Sequence, residues 1–266
     1  MLAGVIKERT PSTASAQIRN CEYHGATGID LHLSCLDDEF KTTEHIKFIV
    51  DSSRVPVLAL NYNLSYEKGF YEDTEENRTD LLFKAVEAGA AAVDIQGYTF
   101  DLYSKNTFRT EFSDLNYSFI KNNPREVVVD SEIIDKQMEF IEKVHFAGAE
   151  VLLSNHPNIP MTTEQVVDLA LFVEKRNPDI IKIVTLAETE EQLVEAFKTM
   201  ITLKKEVKTP VSFHCGGKNG VLTRVINPVL GGFMCFCNDR YALNTDNSQP
   251  LLETAKVIID NIKKMM

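Results

Sequence analysis

Short apolar runs bounded by turn residues alternate with helical patterns eight times along this chain of 266 residues, and that alternation limits the fold more than any other feature. Runs at 2–6, 29–33, 57–60, 91–95, 151–154, 180–184, 211–214 and 233–236 read as strands. Apolar residues at three- and four-residue spacing, such as Leu81, Leu82, Ala85 and Val86, predict helices over 12–23, 42–51, 75–88, 131–147, 163–175, 190–207, 222–230 and 251–265. Thr162-Thr163 ahead of Glu164-Gln165 marks a helix start, and Gly89 and Gly148 mark helix ends. Eight strands alternating with eight helices predict a (β/α)8 TIM barrel, one α/β domain over 1–266. A doubly wound sheet competes, but strand count and regular alternation favour the barrel. With 44% hydrophobic residues, the chain can bury a core of that size.

The spacing breaks once. Between strand four and the helix starting near Ser131 lies a segment at 98–131, too long for an ordinary βα loop. It carries Tyr98, Phe100, Tyr103, Phe108, Arg109, Phe112, Tyr117, Phe119 and Arg125. In a barrel this loop rises from the C-terminal face, where active sites are built. It is either a lid or specificity element, or a packed surface excursion or dimer contact.

Several ionisable residues fall inside the predicted strands. Lys182 sits among Ile180, Ile181, Ile183 and Val184, where burial would disfavour its charged form, and a neutral amine attacks carbonyls. His156 ends the preceding strand, and neighbouring barrel strands bring their ends within side-chain reach. A histidine there can move the proton that an imine makes acidic, so the pair points to Schiff-base chemistry. Asp30 and His32 share one face of strand two, as do Asp94 and Gln96 on strand four. A buried charge needs a partner, and Asp30 and Asp94 are the expected neighbours of Lys182. A Lys–Asp pair that only fills the barrel centre is the plainer alternative. His214 ends strand seven and could line the mouth, with nothing to single it out. Arg224 follows the glycine-rich stretch 216–220 after strand seven, a region that binds phosphate in many barrels, and its planar fork suits a carboxylate.

Other classes are disfavoured. A formal net charge of −11 argues against general nucleic-acid binding, though one local arginine can still hold an anionic small substrate. No apolar run approaches the length that spans a bilayer and no secretory leader is legible, so no membrane association and a cytoplasmic location are expected. The five cysteines, Cys21, Cys35, Cys215, Cys235 and Cys237, form no repeating framework and read as reduced thiols. Cys235-x-Cys237 would put both sulfurs on one face of a strand, without the spacing of a zinc site, so no metal is expected.

Taken together, Leu153-Ser-Asn-His156, Asp179-Ile-Ile-Lys182-Ile, Gly220-Val-Leu-Thr-Arg224 and Ser248-Gln249 resemble, in order and spacing, the motifs of type I 3-dehydroquinate dehydratase, the Schiff-base enzyme of the shikimate and quinate pathways. Ala92-Val-Asp94-Ile extends the resemblance into the first half, and only the long insertion lies outside it. The resemblance implies a (β/α)8 barrel and elimination of water from 3-dehydroquinate or a related small, anionic, cyclic hydroxy-ketone carboxylate. It implies that Lys182 forms the imine, that His156 acts as base and then acid, that Arg224 binds the ring carboxylate and that Gln249 with Ser248 closes over the substrate. No cofactor beyond the covalent imine is implied. The sequence departs from the family on strands two and three. Asp30-x-His32 stands where the family has Glu-x-Arg, and Asn61 stands where it has an arginine. Asp30 joins the catalytic set as the acid of strand two, though one methylene shorter than Glu it reaches less far towards His156. His32 and Asn61 become substrate-contacting positions, and Glu67 corresponds to a family glutamate if a small insertion is allowed. Arg109 or Arg125 could supply a replacement charge. Two other readings stay open: an aldolase-like lyase on another oxo acid, and a metabolite-binding barrel without turnover. Barrels of this kind often form homodimers, and no sequence feature decides it.

Overall fold

The computed structural model describes residues 1–62, 74–101, 108–112, 126–242 and 245–265. Within them the strands are β1 (Leu2–Ile6), β2 (Gly28–His32), β3 (Val57–Leu60), β4 (Ala92–Gln96), β5 (Glu150–Asn155), β6 (Ile180–Leu186), β7 (Val211–Gly216) and β8 (Cys235–Cys237). The helices are α1 (Pro11–Tyr23), α2 (Thr43–Asp51), α3 (Glu75–Glu87), α4 (Ser131–Phe146), α5 (Thr163–Glu174), α6 (Glu190–Glu206), α7 (Val221–Ile226) and α8 (Leu252–Lys263). The strands pair in parallel in the order β7-β6-β5-β4-β3-β2-β1-β8. The remaining seam, between β7 and β8, is bridged by Phe233 N–H donating to Val211 O (3.0 Å) and by Ser212 Oγ donating to Met234 O (3.0 Å). The chain is therefore the single eight-stranded α/β barrel that the alternation predicts.

Threonine starts most of the helices. Thr10, Thr42, Thr74, Thr162 and Thr189 each accept a backbone N–H of the first turn, and Asp130 does so for α4. Such a cap contributes about 1 kcal/mol by satisfying an otherwise unmet donor. Thr162 with Gln165 and Thr189 with Gln192 form full capping boxes. Two boundaries fall short of expectation. Helix α7 stops at Ile226 rather than near residue 230, because Pro228 has no N–H to continue it. Strand β8 starts at Cys235, two residues late, with Phe233 serving the β7 seam.

Alternation along the strands separates two cores. The outward residues pack under the helices and include Ile29, Leu31, Val93, Ile95, Val151, Leu153, Ile181 and Ile183. A smaller cluster of Ala3, Val5, Leu58, Ala92, Leu152, Ile180, Met234 and Phe236 fills the barrel interior. Above that apolar plug, towards the C-terminal ends of the strands, the inward positions turn polar: Asp30, His32, Asp94, Gln96, Ser154, Lys182, Ser212 and His214 are all buried. Burying so many polar groups is costly unless they partner one another, which marks this end for function. Among the described residues no helix is long and apolar enough to cross a membrane.

Candidate active site

Lys182 lies mid-strand on β6, level with Ser154 of β5 on one side and Ser212 of β7 on the other. The two short serines leave the lysine room to extend along the barrel axis. Only 7% of the residue is exposed. Its Nζ stands 4.3 Å from the centroid of the Phe236 ring and 4.0 Å from Asp94 Oδ2. Asp94 is thus the carboxylate that faces the amine, its other oxygen accepting from Ser154 Oγ (2.6 Å) and Gln96 Nε2 (3.4 Å). Burial pushes the Asp94 carboxyl up to about 6, only partly offset by Lys182 and Ser154. Asp30, the other expected neighbour of Lys182, instead pairs with His32, Oδ2 to Nε2 at 3.2 Å. Its position two residues before His32 on one strand face makes that local pair the shorter reach.

His156 follows β5 directly, two residues beyond Ser154, and so stands one layer above Lys182. Its Nδ1 is 3.2 Å from Glu126 Oε1, and its Nε2 is 3.1 Å from the Tyr62 hydroxyl. A carboxylate accepts, so Nδ1 carries the ring proton and Nε2 presents a lone pair, to which the Tyr62 O–H donates. Burial, then the nearby charges of Lys182 and Arg224, hold the His156 pKa well below its usual 6.5. The ring is neutral, the form a base requires. Tyr62 is held well above its usual range by burial and by surrounding carboxylates, which keeps it a hydroxyl.

Glu126 and Tyr62 are the partners that sequence reasoning missed. Asp30, expected to reach less far towards His156 than a glutamate would, pairs with His32, and the acid beside His156 is Glu126, from the far end of the long excursion. The excursion is tied down at its start by Gln137 of α4 and at its end by Arg176, just beyond α5. Gln137 donates to Thr99 O (2.7 Å) and Gly97 O (3.2 Å), while Arg176 joins Gln137 Oε1 and Val128 O, both at 2.6 Å. Gly97 makes the approach possible: a Cβ there would lie 2.4 Å from Asn155 Oδ1 and 2.5 Å from Glu126 O. The middle of the excursion goes elsewhere. Phe108 packs on Phe172 of α5 with ring centroids 5.0 Å apart, and Arg109 pairs with Glu111 (3.0 Å) and with Asp168 of α5 (2.5 Å). Arg109 is therefore an outer-helix anchor and brings no charge to the barrel mouth. Arg125 and Glu67 lie outside the described residues.

At the wall formed by β3 and β4, Asn61 faces a different neighbour from the one expected. Its Nδ2 donates to Arg78 O (3.0 Å) and its carbonyl accepts from Arg78 NH1 (3.0 Å). The Arg78 guanidinium also meets Glu75 with two bonds (2.7 and 2.9 Å), Thr99 Oγ1 (2.8 Å) and Gln96 Oε1. All five of its N–H donors are thereby committed within the protein. Asn61 belongs to this buried brace, and Arg78 offers no donor to a ligand.

Opposite that wall, Arg224 of α7 is buried, with NH1 3.1 Å from His214 Nε2, NH2 donating to Ser248 Oγ (2.9 Å), and Asp246 at 3.5 Å. Gln249, next to Ser248, has its Oε1 buried with no hydrogen-bond partner. Arg224, Ser248 and Gln249 thus gather at the β7–β8 side of the mouth. Cys235 and Cys237 sit with their sulfurs 3.6 Å apart in the outer core, away from this centre.

A buried lysine thus stands in the middle of a parallel eight-stranded barrel, one layer below a neutral histidine. The family model of type I 3-dehydroquinase matches residues 97–263, and the chain belongs to that family. It is 27% identical over 214 residues to a bifunctional 3-dehydroquinate dehydratase/shikimate dehydrogenase of Arabidopsis thaliana, covering 80% of this chain but 29% of the longer plant protein. It is 23% identical over 227 residues to a 3-dehydroquinate dehydratase of Desulfotalea psychrophila, covering 85% of this chain and 83% of the relative. Among solved structures, a 3-dehydroquinate dehydratase from Geobacillus kaustophilus superposes with a TM-score of 0.75 over 99% of this chain and 91% of its own, at 9% identity.

Proposed function

We propose that this protein is a 3-dehydroquinate dehydratase that removes water from its cyclic hydroxy-ketone carboxylate through an imine on Lys182. The observation that carries this is the stacking of Lys182 beneath His156, with Glu126 fixing the proton on Nδ1 and leaving Nε2 as the base.

Lys182 Nζ adds to the ketone carbon, and loss of water from the carbinolamine gives a protonated imine. That cation withdraws electrons from the neighbouring C–H bond. His156 Nε2 takes the proton, and the C–H electron pair becomes the enamine double bond. Tyr62, which donates to Nε2, must turn aside or follow the ring as the base is used. The enamine then expels the β-hydroxyl, which takes the proton from His156 and leaves as water. Hydrolysis of the conjugated imine frees the product and restores the amine. One histidine serves as base and then acid, which suits a group that the site holds neutral at rest. Asp94 faces the positive nitrogen throughout, and its carboxylate opposes the charge that the imine carries.

Arg224 with Ser248 and Gln249 would hold the substrate carboxylate, and the Asp30–His32 pair would meet the hydroxyls at the opposite end. The covalent imine supplies the electron sink, so the scheme calls on no separate cofactor. The test is turnover of 3-dehydroquinate, followed by the ultraviolet absorbance of the conjugated carbonyl product. Wild-type protein generates the signal and Lys182→Ala does not. Absence of the signal from wild type, or its survival in Lys182→Ala, overturns the assignment.

A further inference from the structure

His214 is a buried histidine that the scheme above leaves without a task. It stands on β7 level with Val184 of β6, two residues beyond Ser212, which is level with Lys182. It therefore lines the barrel one layer above the amine, as His156 does on β5. Its ring lies 6.4 Å from that of Phe236, the same ring that packs against Lys182 Nζ. Any ligand joined to Lys182 and reaching for Arg224 passes it.

The hydrogen-bond chemistry fixes its tautomer. A guanidinium can only donate, so at the 3.1 Å contact between Arg224 NH1 and His214 Nε2 the imidazole nitrogen is the acceptor. A neutral ring with Nε2 accepting carries its proton on Nδ1. Burial, followed by the charges of Arg224, Lys182 and His156, holds the ring neutral by lowering its pKa well below 6.5. Among the described residues nothing accepts from Nδ1, yet it is not one of the sealed polar atoms without a partner. The Asp30–His32 pair has the opposite polarity. There the carboxylate accepts from Nε2, and a neutral His32 ring so held would expose Nδ1 as a lone pair.

We propose that His214 is a substrate-positioning residue: its Nδ1–H stands beside the Arg224 guanidinium as a second donor to the substrate's carboxylate. The barrel mouth is then polarised, donating at β7 and accepting at β2. A monocarboxylate with hydroxyls at its far end enters in one orientation, carboxylate to His214 and Arg224, hydroxyl to His32. A second anionic group at the far end would meet a lone pair backed by the Asp30 carboxylate, so dianionic oxo acids are poor substrates. The proposal rests on the dehydratase reading for its ligand, but the tautomer does not.

Protein labelled with 15N in histidine tests both parts. Without ligand, long-range proton–nitrogen spectra should show His214 neutral and protonated on Nδ1, and His32 protonated on Nε2, with assignments from His214→Met and His32→Asn. Adding 3-dehydroquinate should shift the His214 Nδ1 resonance. In kinetics, His214→Met should raise KM about tenfold, the worth of one hydrogen bond to a charged group, with kcat changed less than about twofold. His214→Asn, whose amide can place an N–H near the lost Nδ1, should recover part of that loss. An Nε2-protonated His214, an unmoved resonance while an imine adduct forms on Lys182, or a fall in kcat at constant KM would overturn the proposal. If 3-dehydroquinate forms no adduct, the dehydratase reading fails, and the ligand-free tautomer still decides whether His214 offers a donor.

Discussion

The two sides of the barrel mouth are built on different principles. On the side of β5 and β6, charges are held apart and histidine is held neutral: Lys182 faces Asp94 across 4.0 Å, and His156 keeps a lone pair on Nε2. On the side of β3 and β4, polar groups are locked into mutual satisfaction, with Arg78 committing every donor to Glu75, Asn61, Gln96 and Thr99. The first arrangement leaves reactive capacity available; the second fixes a wall. A strongly charged residue near an active site is therefore no guide to ligand contact until its donors are counted.

The sharpest way to break this comparison is to remove the base. His156→Ala should lower kcat about 10³- to 10⁴-fold, measured by product absorbance, with imine trapping retained. A small loss would move the base elsewhere. Next in size is the brace. Arg78→Ala leaves the buried Glu75 carboxylate without the guanidinium that neutralises it and should cost about 3–5 kcal/mol, seen as a lower denaturant midpoint. If stability held while KM alone rose, Arg78 would belong to the substrate and not to the wall. Glu126→Gln should reduce kcat on the order of 10- to 100-fold, the usual loss when the orienting partner of a histidine is weakened. Gly97→Ala should act in the same direction, because its methyl displaces the Glu126 backbone.

Two effects of pH follow. Asp94, raised to about 6, loses its charge as pH falls through that value, so kcat/KM should decline on the acid side near pH 6. His156, held well below 6.5, does not set that limb. A limb that persists in Asp94→Asn would reassign it. The buried histidines work on stability instead. His156 and His214 have folded pKa values below the unfolded 6.5, so the folded state binds fewer protons in that range. Their contribution is complete above pH 6.5 and is lost as pH falls below it towards the folded values. Asp94 opposes this: its raised pKa favours the folded state as pH falls from about 6 towards 3.8. Thermal midpoints across this range should fall less steeply in His214→Met than in wild type.

Much of the fold was legible because strand and helix periods differ and barrel units repeat. The runs around Ile29, Val93, Val151 and Ile181 are outer-core strand residues, and Lys182 stood out by interrupting one of them. The placement of Asp94 towards Lys182, with Asp30 turned to His32, was beyond the pattern, because alternation fixes the face of a side chain and not its reach. Glu126 was beyond it for another reason. It lies 30 positions before His156 at the end of a segment without periodicity, where Gln137 bound to Thr99 and Arg176 bound to Val128 tie the backbone around it inward. Gly97, directly after β4, was the one local sign that another backbone passes there. His214 was visible at a strand end, but its value depends on which nitrogen faces Arg224, and a sequence carries no tautomers.

The central claim is that Lys182 bonds covalently to the substrate. Incubation with 3-dehydroquinate and borohydride, followed by intact-mass measurement and peptide mapping, tests it most directly. The account predicts a single reduced adduct on Lys182, absent from Lys182→Ala. No adduct under conditions of turnover, or an adduct on another lysine that survives in Lys182→Ala, would contradict it.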